Sequence, residues 1–140
     1  MESILTFTQS VILFLLSAIH FSWVLGSTWG FEKALPTNTE GIRVLSPSKF
    51  DSAMVALGLL LFAIFYLLKA DIINLGVPSY ILKYAGWAIA AIFALRAIGD
   101  FKYIGFFKSI TGTEFAKLDT MLYSPLCLGL AVIGIWLELS

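Results

Sequence analysis

The sequence is poor in the residues from which most protein sites are built. It has one cysteine, Cys127, and one histidine, His20, in 140 residues. A single thiol forms no internal disulfide, no CxxC redox pair and no cysteine-based metal cluster. A lone imidazole excludes a two-histidine metal or haem site within one chain. Charge is scarce as well: 13% of the residues are Asp, Glu, Lys or Arg, against about 25% in an ordinary soluble domain. Nine basic residues balance nine acidic ones, so no basic surplus exists to neutralise phosphates, and nucleic acid is not an expected partner. P-loop and dinucleotide-type glycine patterns, GxSxG, HExxH and EF-hand spacings are all absent. Neither a metal nor a cofactor is expected.

What fills the chain instead is apolar. Hydrophobic residues make up 59% and aromatic residues 15%, with a mean hydropathy of +0.93. A spanning helix needs about 20 mostly apolar residues to cross a hydrocarbon core of roughly 30 Å. Segments 4–26, 52–69, 78–99 and 124–139 meet that need. The third has a short uncharged centre, Tyr84–Leu95, bounded by Lys83 and Arg96. Their Cα atoms would stand roughly 20 Å apart along a helix, and the two long basic side chains can reach outward to the headgroups. The expected fold is therefore all-α: a four-transmembrane-helix bundle forming one integral membrane domain.

Local signals agree with that partition. Ser46-Pro47 and Ser124-Pro125 read as starts of the second and fourth helices, with serine capping free N–H groups and proline in the first turn. Gly76 and Pro78 break the chain before the third. Thr111 and Glu114 have capping-box spacing, which predicts a short interfacial helix from Gly112 to about Met121, before the fourth span. The first segment has Glu2 but no Lys or Arg ahead of its apolar stretch, unlike a cleaved signal peptide, and is read as a retained helix. Gly86, Ala90, Ala94 and Ala97, and likewise Cys127, Ala131 and Gly134, form small faces suited to close helix packing. Cys127 is read as one of these packing residues.

Four spans place both termini and the 69–79 loop on one side and loops 27–50 and 101–123 on the other. Lys33, Arg43, Lys49, Arg96, Lys102, Lys108 and Lys117 lie on the loop side, against Lys69 and Lys83 on the terminal side. The positive-inside rule then puts the two longer loops in the cytoplasm and both termini outside a cell membrane. The same arithmetic gathers polar residues. His20, Trp23, Trp29, Arg96, Asp100, Asp119 and Tyr123 all fall at the loop side and are the candidate ligand-binding residues.

The stretches HFSWVLGSTWGFEKALP (20–36) and LRAIGDFKYIGFFKSITGTEFAKLDTMLYSPLC (95–127) resemble a family of small bacterial four-helix membrane proteins known as a domain of unknown function. The resemblance covers most of the chain and implies four spans with signature residues in and beside the two longer loops. It implies no reaction, ligand or catalytic role.

His20 is an ionisable group in an apolar helix, where an unpaired charge is expensive. It serves either as a hydrogen-bonded structural residue or as the candidate proton-transfer group. Arg96 and Asp100 have i,i+4 spacing and can pair on one helix face. Otherwise the planar fork of Arg96 can clamp an anion. Asp119 and Tyr123 either complete a network with Arg96 or punctuate the loop. Phe101, Tyr103, Phe106 and Phe107, interleaved with Lys102 and Lys108, read as interfacial anchors. Glu138 and Lys83 can pair at the opposite face.

Three functional readings stay open. In the first, the loop-side pocket binds membrane lipid, a small amphiphilic ligand or a membrane partner subunit. In the second, a membrane-embedded enzyme acts on a lipid-like substrate with His20 transferring a proton. In the third, the chain is a small transporter working as a homodimer.

Overall fold

The computed structural model describes residues 2–26, 40, 42, 49–99 and 101–139. Its elements are α1 (Glu2–Val24), α2 (Lys49–Lys69), α3 (Ser79–Ile98), α4 (Glu114–Leu118), a π-helical turn (Asp119–Tyr123) and α5 (Ser124–Leu139). No strand occurs among the described residues. Four helical runs are long and apolar enough to cross a membrane: Ser3–Val24, Lys49–Lys69, Ser79–Ile98 and Phe115–Leu139. In each, only 28% of the most apolar window is buried within the chain, so most apolar side chains face outward, as lipid-facing surfaces do. This is the make-up of a multi-pass membrane protein.

The ends of the helices follow from local chemistry. Gly26, at φ +104°, closes α1 with its N–H on the Trp23 carbonyl, a left-handed position that glycine fills without strain. After α2, Asp71 takes the left-handed conformation at φ 59°. Its N–H bonds the Leu68 carbonyl and that of Ile72 the Leu67 carbonyl, the paired bonds of a Schellman end.

The chain forms two compact units. The first consists of Met1–Ser27, Pro47–Ile89 and Ile133–Ser140, the second of Thr28–Ser46 and Ala90–Val132.

In the first unit α1 packs on α2. Thr6, Gln9, Ser10, Leu13 and Ser17 are the buried side of α1, and Ser52, Ala56, Ala63, Phe65 and Tyr66 that of α2. The α1 set recurs at helical spacing and is mostly small or polar. Such a seam suits a membrane, where close backbone approach and interhelical hydrogen bonds replace the hydrophobic drive. Ser10 donates its hydroxyl to the Ala63 carbonyl at 2.8 Å, and Ser17 to the Ala56 carbonyl at 2.7 Å. The register runs in opposite directions along the two helices, so they are antiparallel. Ser10→Ala and Ser17→Ala should each lower stability by about 0.6 kcal/mol, additively, in thermal melts of the detergent-solubilised protein. A loss several times larger from either change would show that the seam depends on that bond alone.

In the second unit the end of α3 is folded over by the segment that follows. The N–H of Gly99 bonds the Leu95 carbonyl at 2.8 Å, and the N–H of Phe106 reaches back to the Ala97 carbonyl at 2.8 Å. Gly99 and Gly105 both have positive φ, 87° and 88°, and they cross in contact. A Cβ on Gly99 would strike the Ile104 carbonyl, and one on Gly105 the Ile98 carbonyl.

Two expectations need correction here. The N-cap of α4 is Thr113, not Thr111: its hydroxyl accepts the Ala116 N–H at 3.0 Å. The short helix is present, but no break separates it from the fourth span. Ser124 is not a cap: it sits in right-handed helical conformation and its N–H bonds the Asp119 carbonyl. The cause is Pro125. Inside a helix, proline supplies no N–H and its ring crowds the carbonyl four residues back. Widening the preceding turn to i→i+5 bonding relieves that crowding and lets the helix continue.

Candidate functional site

The π-helical turn carries the most polar cluster of the second unit. Asp119 is fully buried, and each carboxylate oxygen is engaged. Oδ1 accepts from Arg96 Nη2 at 2.8 Å. Oδ2 accepts from the Gly105 N–H at 2.7 Å and stands 3.1 Å from Lys108 Nζ. The folded-over segment is thus tied to α3 and to the π-turn through one carboxylate. Lys108 also donates to the Gly105 carbonyl at 2.9 Å and to the Thr120 hydroxyl, so its three N–H bonds have acceptors.

Arg96 differs. A guanidinium offers five N–H donors, and it is Nη2 that meets the carboxylate. Nη1 is buried with no hydrogen-bond partner among the described residues, and so is the hydroxyl of Ser124. The Ser124 side chain has no exposed surface. Its main chain is one π-turn beyond Asp119 and bonded to it, which puts both residues on one side of the helix. Cys127, one turn further, and Tyr123 both lie in the electrostatic field of Arg96 and Asp119. Buried donors and hydroxyls without partners are rare and call for an explanation. Among the described residues, two cations against one carboxylate also leave this cluster with an excess of one positive charge.

Arg96 and Asp119 are brought together. Tyr123 stacks on Phe115 with ring centroids 5.8 Å apart. Asp100, the expected i,i+4 partner of Arg96, lies outside the described residues, as do Trp29 and nearly all of loop 27–50. His20 and Trp23 belong to the first unit and pack on each other, ring centroids 4.6 Å apart. His20 Nδ1 is 2.8 Å from the Leu16 carbonyl. A carbonyl only accepts, so Nδ1 carries the proton and Nε2 keeps the lone pair in the neutral ring.

Lys108 corrects an expectation: read as an interfacial anchor, it is buried, with 2% of its side chain exposed. Lys102 fits the anchor reading, lying 5.1 Å from the centroid of the Tyr103 ring. Sequence reasoning missed Ser124 as more than a cap. A serine beside a proline in an otherwise apolar helix was the available signal.

The first unit has a polar group of its own. Glu138 pairs with Lys69 at 3.0 Å, not with Lys83 as expected. Gly86 makes room for it, since a Cβ there would overlap the Glu138 carboxylate. The buried Gln9 side chain hydrogen-bonds Tyr66. No group of three or more metal-ligating side chains occurs among the described residues.

Residues 13–134 match a family described as "Protein of unknown function (DUF3995)", and the chain belongs to that family. No curated protein matches the chain, and neither does any solved structure.

Proposed function

We propose that this member of the family binds an amphiphile with an anionic headgroup, a carboxylate or a phosphate, at Arg96 and Ser124. The observation that carries the reading is the two buried polar atoms of the second unit that lack a hydrogen-bond partner among the described residues, Arg96 Nη1 and Ser124 Oγ. Leaving a charged donor buried and unmatched costs more than leaving a neutral one, so its natural complement is an anionic acceptor. Asp119 and Lys108 hold the frame, and Asp119 orients the guanidinium through one nitrogen while the other stays available. A π-turn at this point fits a binding role, because such turns recur at functional sites. The apolar faces of the spans suit an acyl chain.

The Lys/Arg count supports the cytoplasmic leaflet of a bacterial cell membrane as the location of this site. Anionic lipids gather there in many membranes. Ligand binding at loop 101–123 needs neither a second copy nor a partner subunit.

One observation favours a second reading, a membrane enzyme on a lipid-like substrate. With Nδ1 committed to Leu16, His20 Nε2 is poised to accept a proton.

Native mass spectrometry of the protein in mild detergent, wild type beside Arg96→Ala and His20→Ala, separates these readings. The expected result is a discrete adduct in wild type and His20→Ala that is lost in Arg96→Ala. An adduct of an anionic amphiphile that survives Arg96→Ala contradicts the site. So does an apo mass for all three that persists when dodecyl phosphate is added. A different product mass in His20→Ala would favour the enzyme.

A further inference from the structure

The first unit holds a cleft of about 360 Å³ where the C-terminal ends of α2 and α5 meet the start of α3. That volume is at the lower end of the range of roughly 300–1,000 Å³ for small-molecule sites. A leucine from each of the three helices lines its apolar part, and Lys69, Asp71, Ser79, Lys83 and Glu138 its polar part. Lys69 and Glu138 form an ion pair at 3.0 Å, in which the buried Glu138 Oε1 accepts no hydrogen bond among the described residues. Asp71 and Lys83 are both exposed, and neither has an ionic partner among the described residues. The cleft therefore presents one uncompensated negative and one uncompensated positive charge beside the Lys69–Glu138 ion pair.

We propose that this cleft is a second binding site, distinct from that at Arg96, and that it takes a zwitterionic phospholipid headgroup with a primary amine: the phosphoethanolamine class. Lys83 meets the phosphate, and Asp71 meets the ammonium. The lining charges cancel, Lys69 and Lys83 against Asp71 and Glu138, which disfavours a ligand carrying one sign only. No aromatic ring lines the cleft, so it lacks the cage that binds quaternary ammonium groups. Carboxylate and hydroxyl acceptors suit N–H donors instead.

The place of the cleft argues for a lipid. Lys69 is the last residue of a membrane-crossing helix and Ser79 the first of the next, which is headgroup level. Exposed Leu75, Tyr80, Ile81 and Leu139 lie close by in sequence and offer apolar surface to the acyl chains. Asp71 also occupies a left-handed helix-end position where glycine would be less strained.

The test is lipid retention by native mass spectrometry after incubation with vesicles of equal parts phosphatidylethanolamine, phosphatidylcholine and phosphatidylglycerol. Wild type, Lys83→Ala, Asp71→Gly and Arg96→Ala are compared. Both cleft variants alter exposed side chains, and Asp71→Gly relieves the backbone, so each keeps its fold. Wild type should retain phosphatidylethanolamine in preference to phosphatidylcholine, and any phosphatidylglycerol held at Arg96 should be lost in Arg96→Ala. Each cleft variant should weaken phosphatidylethanolamine retention about tenfold, the lower end of what a charge-assisted hydrogen bond supplies. Arg96→Ala should leave it unchanged. The proposal is overturned by equal retention in wild type and both cleft variants, by phosphatidylcholine held as well as phosphatidylethanolamine, or by phosphatidylglycerol retention that survives Arg96→Ala and falls in the cleft variants. Loss in Arg96→Ala alone would assign the lipid to the other site. Soluble glycerophosphoethanolamine binding as tightly as the lipid would overturn the membrane source.

Discussion

Asp119→Asn should lower the stability of the protein by roughly 3–5 kcal/mol, the cost of breaking a buried ion pair by removing one partner. Asparagine matches aspartate in shape but brings no charge, and its NH2 group would face a cation. Lys108, with 2% of its side chain exposed, would then hold its charge among the Gly105 carbonyl and the Thr120 hydroxyl alone. The Gly105 N–H would compete with two cations for a single acceptor oxygen. Arg96→Ala should be milder. The Arg96 side chain is 29% exposed, and its loss leaves Asp119 with Lys108 and Gly105. Thermal melts in one detergent settle the order. Equal melting temperatures for Asp119→Asn and wild type would show that the carboxylate does not hold the segment.

The second large effect belongs to the glycine crossing. Gly99→Ala and Gly105→Ala should each be strongly destabilising. A left-handed backbone alone costs a non-glycine residue about 1–3 kcal/mol, and the added methyl also collides with main chain, which cannot rotate aside as a side chain can. Moving Gly105 withdraws the N–H on Asp119 and the carbonyl on Lys108 together, so the damage reaches the ion cluster. Gly112→Ala is the control, since a Cβ there meets nothing within 4 Å. Melts should show Gly112→Ala near wild type and the other two well below it. If all three behave alike, the crossing is not a constraint.

The three apolar runs that became α1, α2 and α3 were legible because length and hydropathy decide a membrane span on their own. Small faces were legible in part: Gly86, Ala90, Ala97, Ala131 and Gly134 are buried, while Ala94 and Cys127 are half-buried. The fourth span shows where local reading fails. Ser-Pro is a helix start when the preceding chain leaves the helix, and an interior kink or π-turn when it does not. Tertiary ties around Asp119 hold the preceding chain in place here. Lys108 was misread for a similar reason. Aromatic and basic residues next to a span normally anchor at the interface, and only the contact between Gly99 and Gly105 turns this lysine inward.

A network of Arg96 with Asp119, 23 residues away, was one of two readings the sequence left open, and their pairing at 2.8 Å depends on that same closure. Gln9 and Tyr66 were missed although a signal existed: uncharged polar residues recur along α1 at positions 6, 9, 10 and 17, one face of a helix. Asp100 and Trp29 lie outside the described residues.

The proposed site requires Ser124 and the second Arg96 nitrogen to take up an anion. The most direct measurement is the melting temperature of wild type and Ser124→Ala in dodecyl maltoside, with and without dodecyl phosphate. Deleting a buried hydroxyl that has no partner should leave the ligand-free protein as stable as wild type, or slightly more so. Dodecyl phosphate should then raise the melting temperature of wild type, by the equivalent of about 2.7 kcal/mol at a hundred times its Kd, and raise that of Ser124→Ala far less. A ligand-free Ser124→Ala that melts well below wild type, or a shift of equal size in both proteins, would contradict the claim.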